Sequence, residues 1–344
     1  MVATIKTRLG DGSLIELSRD DLRGDLEAGT LAASTRAKVP HLASDELAHL
    51  FDIFASNSRF TGVDIGAEVI LSIDGSGNAD SGSSVDGLVQ WQNHLGADIL
   101  ELWNHDYSFK AVKTVLSFEA QAMRAAQRNL VAPVQYGAMP DLGRYSMPDG
   151  PCPNWSQLLP EGRIDEARAS QEEAVEHAVR DMVFVAEGMW EAGTDAIDFD
   201  TAGAAGDADF LATLRAVKVL RDKYPDMGIE LGMATEFVLG MHGELAHAGR
   251  RLAGMWAADQ LAMATQAGAT VFGPAVTVDT GRTVAWNTAR TLTLVKPCVE
   301  QATIPVHLNV GMGVGGVPMA LYCPVDATAR VSRAAVDILR LDGL

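Results

Sequence analysis

The stretch Ala192–Phe210, AGTDAIDFDTAGAAGDADF, decides how the rest of the chain is read. Gly193 stands where a helix C-terminus favours a left-handed residue, and Ala196 to Phe199 is a short apolar run of strand length. Asp200 ends the strand, and the Gly/Ala loop from Thr201 to Gly206 leads to Asp207 and Asp209. Those two acids suit a helix start, where unpaired backbone N–H groups favour negative charge. The same order of helix end, turn, strand and polar loop recurs at Leu95–Leu102 (LGADILEL) and Ala267–Val276 (AGATVFGPAV). It returns, cut short, at Leu341–Leu344 (LDGL). Strand, loop and helix in repetition imply a parallel sheet wrapped by helices.

Working outward, the units follow one another from residue 96. Strand one is Ile99–Trp103, strand two Val131–Tyr136, and strand three lies in the opening stretch. Strand four is Ile229–Ala234, strand five Val271–Val276 and strand six Val306–Val310. The intervening helices are expected near Thr114–Asn129, Ile164–Glu191, Ala208–Tyr224, Trp286–Gln301 and Pro324–Leu339. Ahead of them, Asp11-Gly12 is a hairpin turn signal within Thr4–Leu17. Ser18 with Asp21 resembles a capping box, and Ser44, Asp45 and Glu46 open a helix with the apolar face Leu47, Leu50, Phe51 and Phe54. Ile73–Gly87, rich in Gly, Ser and Asp, reads as loop. The expected fold is a TIM-type (β/α)8 barrel with about six βα units present, residues 96–344, preceded by a hairpin and helical extension, residues 1–95. A doubly wound sheet is the rival, but it carries a nucleotide loop after its first strand. Here the Gly-rich run GMGVGGVP (Gly311–Pro318) follows strand six and lacks GxGxxG spacing. It is either a tight turn or a place of close backbone approach by a large ligand.

Composition narrows the function. The chain of 344 residues has 27 Lys and Arg against 45 Asp and Glu, a net charge of −18, which argues against nucleic acid as partner. No apolar run approaches the ~20 residues of a membrane span, and the N-terminal residues lack a signal core, so a cytoplasmic protein is expected. Cys152, Cys298 and Cys323 form neither a disulfide framework nor a CxxC pair.

In a parallel barrel, a charge within an apolar strand must face the lumen or the mouth. Asp198 and Asp200 share parity in strand three, Glu230 and the more distal Glu236 in strand four, and His307 and Asn309 in strand six. Glu101, Trp103 and His105 do so in strand one and its loop. Polar groups converging near strand C-termini form an active-site pattern. With Trp103, Tyr107 and Tyr136 near strand ends, the mouth is acidic and partly aromatic, which suits a small amine held by charge and cation–π contact. No metal is expected, because Cys323 has no second cysteine near it and the known zinc pattern clusters His and Cys.

Several segments resemble the dimethylamine:corrinoid methyltransferases, the pyrrolysine-dependent enzymes of methylamine metabolism. They are NHDYSFKAV (Asn104–Val112), YGAMPDLG (Tyr136–Gly143), MPDGP (Met147–Pro151), FDTAGAAGDADF (Phe199–Phe210), VLGMHG (Val238–Gly243), RLAGMW (Arg251–Trp256) and NVGMGVGGVPM (Asn309–Met319). The resemblance runs in order from Ile5 to Leu344. It implies transfer of a methyl group from dimethylamine to the Co(I) corrinoid of a cognate corrinoid protein, so that the chain itself holds no cofactor tightly. The partner docks over the barrel mouth, with Gly311, Gly313, Gly315 and Gly316 in a loop facing it, and the expected assembly is a homo-oligomer. Glu230, Glu236 and Asp200, backed by His307 and Asn309, are the expected catalytic set; Glu101, Trp103, His105, Tyr107, Tyr136 and Asp198 are the expected substrate-binding set. The 344 residues contain no pyrrolysine, and the resemblance implies an in-frame amber codon after Leu344, with a partial barrel of marginal stability up to that point. Two rivals stand beside it: a barrel methyltransferase or lyase using a metal or a Schiff-base lysine (Lys110, Lys113 or Lys296), and a non-catalytic partial barrel.

Overall fold

The computed structural model describes residues 4–56, 100–102, 134–138, 142–240, 244–320 and 323–344. The described residues fall into two compact units. One lies within Met1–Val69, Trp256–Asp259 and Pro274–Leu344, the other within Ile70–Met255 and Gln260–Gly273. The expected boundary at residue 95 lies outside the described residues.

The second unit is organised on a parallel sheet. Its strands are β3 (Leu100–Leu102), β4 (Val134–Ala138), β5 (Ala196–Ala202), β6 (Gly228–Met233) and β9 (Val271–Gly273), and their spatial order is their sequence order. Every adjacent pair is parallel, as expected when helices provide the crossovers. Two of those helices are α4 (Ile164–Glu191) and α5 (Asp207–Lys223); they pack on each other, and both touch β5. Their apolar faces explain why: Ala174, Ala178, Met182 and Ala186 of α4 are buried, as are Phe210, Leu214, Val217 and Leu220 of α5. Gly193 closes α4 with φ of 91°, its N–H donating to Trp190 O at 2.8 Å, as the sequence predicts. Between β4 and α4 lie a single 3-10 turn, Leu142–Tyr145, and the short helix α3 (Trp155–Leu158). After β6 the chain forms the small hairpin β7 (Ala246–His247) and β8 (Arg250–Arg251) before helix α6 (Ala257–Ala267).

In the first unit, β1 (Ile5–Arg8) and β2 (Leu14–Leu17) form the expected antiparallel hairpin. Ser18 then caps α1 (Arg19–Ala37): its Oγ accepts from Asp21 N at 3.1 Å, and Asp21 Oδ2 accepts from Ser18 N at 3.2 Å. Helix α2 (Ser44–Ala55) buries Leu50, Phe51, Ile53 and Phe54. Helix α1 packs chiefly on α7 (Val284–Gln301), where Thr293 Oγ1 donates to Thr30 Oγ1 at 2.8 Å between buried threonines. The expected sixth strand is present as a bridge rather than a ladder: His307 pairs in parallel with Gly343, Leu308 N donates to Gly343 O at 3.2 Å, and Gly343 N to Val306 O at 3.2 Å. Asn309 N donates to Pro274 O at 3.3 Å on the other side. The last expected helix is α8 (Val325–Ala334), which widens into a π turn over Ala335–Leu339.

Candidate active site

Strands β5 and β6 place two acids side by side. Asp198 and Glu230 are register partners, and both are buried, at 3% and 5% exposure. Partners on neighbouring parallel strands stand about 4.8 Å apart and point to the same face, so the two carboxyl groups share an environment. The alternate positions are apolar and buried: Ile197 and Phe199 on β5, Ile229 and Leu231 on β6. A sequence alternating Ile, Asp, Phe beside Ile, Glu, Leu therefore yields one apolar row and one acidic row.

Beyond Phe199 the regular register ends. The pairing shifts so that Ala202, not Thr201, meets Met233. Thr201 takes a left-handed φ of 57°, and its N–H donates to Asp200 Oδ1 at 2.6 Å. Asp200 therefore sits at a bulge, half-buried, and the simple two-residue parity that links it to Asp198 in sequence is broken there. Gly232 accommodates it from β6: a β-carbon on that residue would stand 2.7 Å from Asp200 Oδ1.

Glu236 is buried at 3% exposure in the segment that follows β6. Thr235 Oγ1 donates to Phe237 O at 2.7 Å, Val238 N to Met255 O at 3.0 Å, and buried Gln260 Nε2 to Met255 O at 3.2 Å, tying both ends of that segment together. Two more acids join this side of the unit: Asp207 and Asp209, in the first turn of α5, are 1% and 0% exposed. The sequence assigns them only to starting a helix. Ala202, Ala208 and Phe210 beside them in the chain are buried as well. Asp198, Glu230, Glu236, Asp207 and Asp209 are thus buried acids on β5, β6 and the segments that follow them, and opposite charge is what stabilises the ionised form of a buried carboxyl group.

The other expected site residues are distributed as follows. His307 and Asn309 belong to the first unit; His307 is buried, whereas Asn309 is exposed. Glu101 lies on β3 in register with Gln135, and Tyr136 on β4 is in register with Ile197, while Gly137 is the neighbour of Asp198. Trp103, His105 and Tyr107 lie outside the described residues, as do Lys110 and Lys113. Lys296 is on α7, ion-paired with Glu46 at 2.5 Å. In the Gly-rich loop, Gly313, Gly315 and Gly316 are buried and all have positive φ. Side chains there would collide with the chain itself, Gly315 with Asn309 O at 2.4 Å and Gly313 with Met319 Cε at 2.3 Å. These three glycines serve the turn. What the loop exposes is Met312 and Met319, while Gly311 is partly exposed. On the hairpin strand β7, burial and then the charge of Arg215 hold His247 below the usual histidine range; His242 lies outside the described residues.

A sequence model of the dimethylamine methyltransferase (Dimeth_PyL) family matches residues 3–344. The chain belongs to the dimethylamine methyltransferase family. The family is one of enzymes, and the match covers nearly the whole chain. Among solved structures the chain is similar to the YdjI aldolase from Escherichia coli K12, at 11% identity and a TM-score of 0.32, over 70% of this chain and 65% of that one. It is similar to the alpha-galactosidase from Lactobacillus brevis at 14% identity and 0.34, over 87% and 42%. For the cell division protein FtsY from Thermotoga maritima the values are 14% and 0.24, over 95% and 90%. The chain spans less than two thirds of the length of the first two proteins. Likeness at these scores decides neither fold nor activity. Among the described residues no helix is long and apolar enough to cross a membrane.

Proposed function

We propose that this chain moves a methyl group from dimethylamine to the Co(I) corrinoid of a separate corrinoid protein, within a (β/α) barrel whose acidic strand ends receive the amine. Family membership over residues 3–344 carries the reading. The acidic row agrees with it, since Asp198 and Glu230 sit side by side, with Asp200, Glu236, Asp207 and Asp209 beyond them. The unbroken sequential order of the five described parallel strands supports a barrel over a doubly wound sheet, in which strand order reverses at a switch point.

The corrinoid comes with the partner and, once docked, supplies the nucleophile that accepts the methyl. This chain's own residues bind and orient the amine. A secondary amine is protonated near neutral pH, so carboxylates out of water select it over neutral solutes. Methyl transfer leaves the methyl's bonding pair on nitrogen, so the nitrogen must keep its proton for neutral methylamine to depart; in this reading the buried Glu230 and Glu236 hold the dimethylammonium ion through that step and exchange its proton on entry and release. Asp200, held by the bulge, fixes the orientation of the bound amine, and Asp198 balances its charge. The exposed Met312 and Met319, with Gly311, form the face offered to the corrinoid protein, since thioethers adapt to an irregular apolar partner. The Schiff-base reading loses its first-unit candidate, because Lys296 is engaged with Glu46.

The experiment is methyl transfer from dimethylamine to the cob(I)alamin-loaded corrinoid protein, with the full-length gene product. Glu230→Gln and Glu236→Gln are expected to lower the rate by about two orders of magnitude or more, with Lys218→Ala on the exposed face of α5 unchanged. Equal rates for all three variants would remove the carboxylates from the mechanism.

A further inference from the structure

Away from the acidic strand ends, a second group of side chains converges in the second unit. Cys152, Glu173 and His177 offer a sulfur, a carboxylate oxygen and a ring nitrogen that all lie within 4.8 Å of one another. Cys152 is buried in the loop between β4 and α4, its N–H donating to Tyr145 O and its carbonyl accepting from Met147 N, each at 2.8 Å. Glu173 and His177 are four residues apart on α4, which brings them onto one helix face. We propose that these three residues form a site for one zinc ion, with the fourth coordination position open to water.

The donor set selects the metal. Thiolate with imidazole suits a borderline-soft dication, whereas magnesium and calcium take oxygen ligands alone. Bond lengths of 2.0 to 2.3 Å in a tetrahedral site put zinc ligands roughly 3.3 to 3.8 Å apart. The observed spread asks only for a short inward move by the side chains of Glu173 and His177, which are exposed and half-buried. The surroundings support such a centre. Tyr145 stacks on His177 with ring centroids 5.5 Å apart, and its OH donates to Asp181 Oδ2 at 2.6 Å, so the partner that orients the imidazole is itself anchored. Burial, and next the charge of Glu173, push the Cys152 thiol above its usual range. A dication offsets both effects and releases the thiol proton on binding.

Arg180 supplies a decisive contrast. Its Nη2 donates to His177 Nδ1, and its side chain is exposed on α4. If zinc binds Nδ1, the guanidinium is displaced directly. If zinc binds Nε2, the ring proton moves to Nδ1, which then no longer accepts. Either way zinc and Arg180 compete for one imidazole. Removing Arg180 must therefore tighten metal binding, an effect that a merely structural cluster would not produce.

The test is metal content and cobalt absorption of the full chain. After dialysis against Zn²⁺, the expected result is one zinc per chain. Co²⁺ in its place should give a thiolate-to-cobalt charge-transfer band that persists in Cys323→Ser and disappears in Cys152→Ser. Glu173→Gln, at an exposed position, should weaken cobalt binding by roughly tenfold or more with an unchanged circular dichroism spectrum, and Arg180→Ala should strengthen it. Absence of the band in the unmodified chain, its survival in Cys152→Ser, or unchanged or weaker binding in Arg180→Ala would each overturn the site.

Discussion

Gly232 on β6 and Asp200 on β5 fit each other as a gap fits a projection: the position of a β-carbon on Gly232 lies 2.7 Å from Asp200 Oδ1 and 3.4 Å from its Cα. The bulge that lifts Asp200 out of the ladder needs that gap. Gly232→Ala should force either the carboxyl or the strand aside, at a cost of about 1–3 kcal/mol typical of overpacking. The denaturant midpoint measures it. An unchanged midpoint would mean that the bulge yields without cost, and Asp200 would lose its claim to a fixed orientation.

His247 gives a pH signature. Its pKa lies below the usual value because burial disfavours the imidazolium and Arg215 repels it. The folded state therefore binds fewer protons here than the unfolded state does. This group's contribution to stability is full above the unfolded pKa, near 6.5, and is lost as pH falls through the folded value. In Arg215→Gln the NMR titration of His247 should move upward but stop short of the free value, since burial is the larger cause. No movement would remove Arg215 from the account.

The legible parts of this chain are those that local chemistry decides. Helix α4 occupies Ile164–Glu191, the range predicted from its punctuation, and the Ser18–Asp21 capping box forms as its spacing requires. The sheet of parallel strands followed from one repeated grammar. Two things were hidden. Parity counting assumes an unbroken ladder, so it cannot foresee the shift after Phe199 or the placement of Asp200 that results. Burial of Asp207 and Asp209 depends on what packs over the first turn of α5, whereas their sequence positions announce only a helix start. Cys152 escaped notice for a related reason: the ligands facing it come from one helix turn more than 20 residues later, not from a second cysteine.

The three cysteines should report different environments. Burial pushes the Cys298 thiol up to about 12, while Cys323 is partly exposed. At neutral pH an alkylating reagent should modify Cys323 well before Cys298, as read by mass spectrometry of the native chain. Above the ordinary thiol value near 9 the unfolded chain gives up the proton that the folded chain keeps. Cys298 thus contributes to a loss of stability as pH rises from about 9 toward 12. The difference in melting temperature between the natural chain and Cys298→Ala should narrow across that interval.

Thr283 ties α7 to α1 through one hydroxyl. Its Oγ1 accepts from Trp286 N at 3.0 Å as the helix cap and donates to Asp25 Oδ2 at 2.8 Å. Thr283→Val keeps the shape and removes both bonds, with an expected loss of about 1–2 kcal/mol in thermal or chemical unfolding. A loss no larger than that of an exposed surface substitution would assign the α1–α7 contact to packing alone.

The unbroken order of the sheet has a temporal meaning as well. Each of the strands β4, β5, β6 and β9 lies beside the strand that precedes it in the sheet's sequence, so the partner it needs has already left the ribosome when it emerges. Among the described strands of this sheet none has to wait for a later segment, and the loops to be closed are those of single crossovers. Synthesis and assembly can run in the same direction, each new strand finding an edge ready and leaving its own edge for the next.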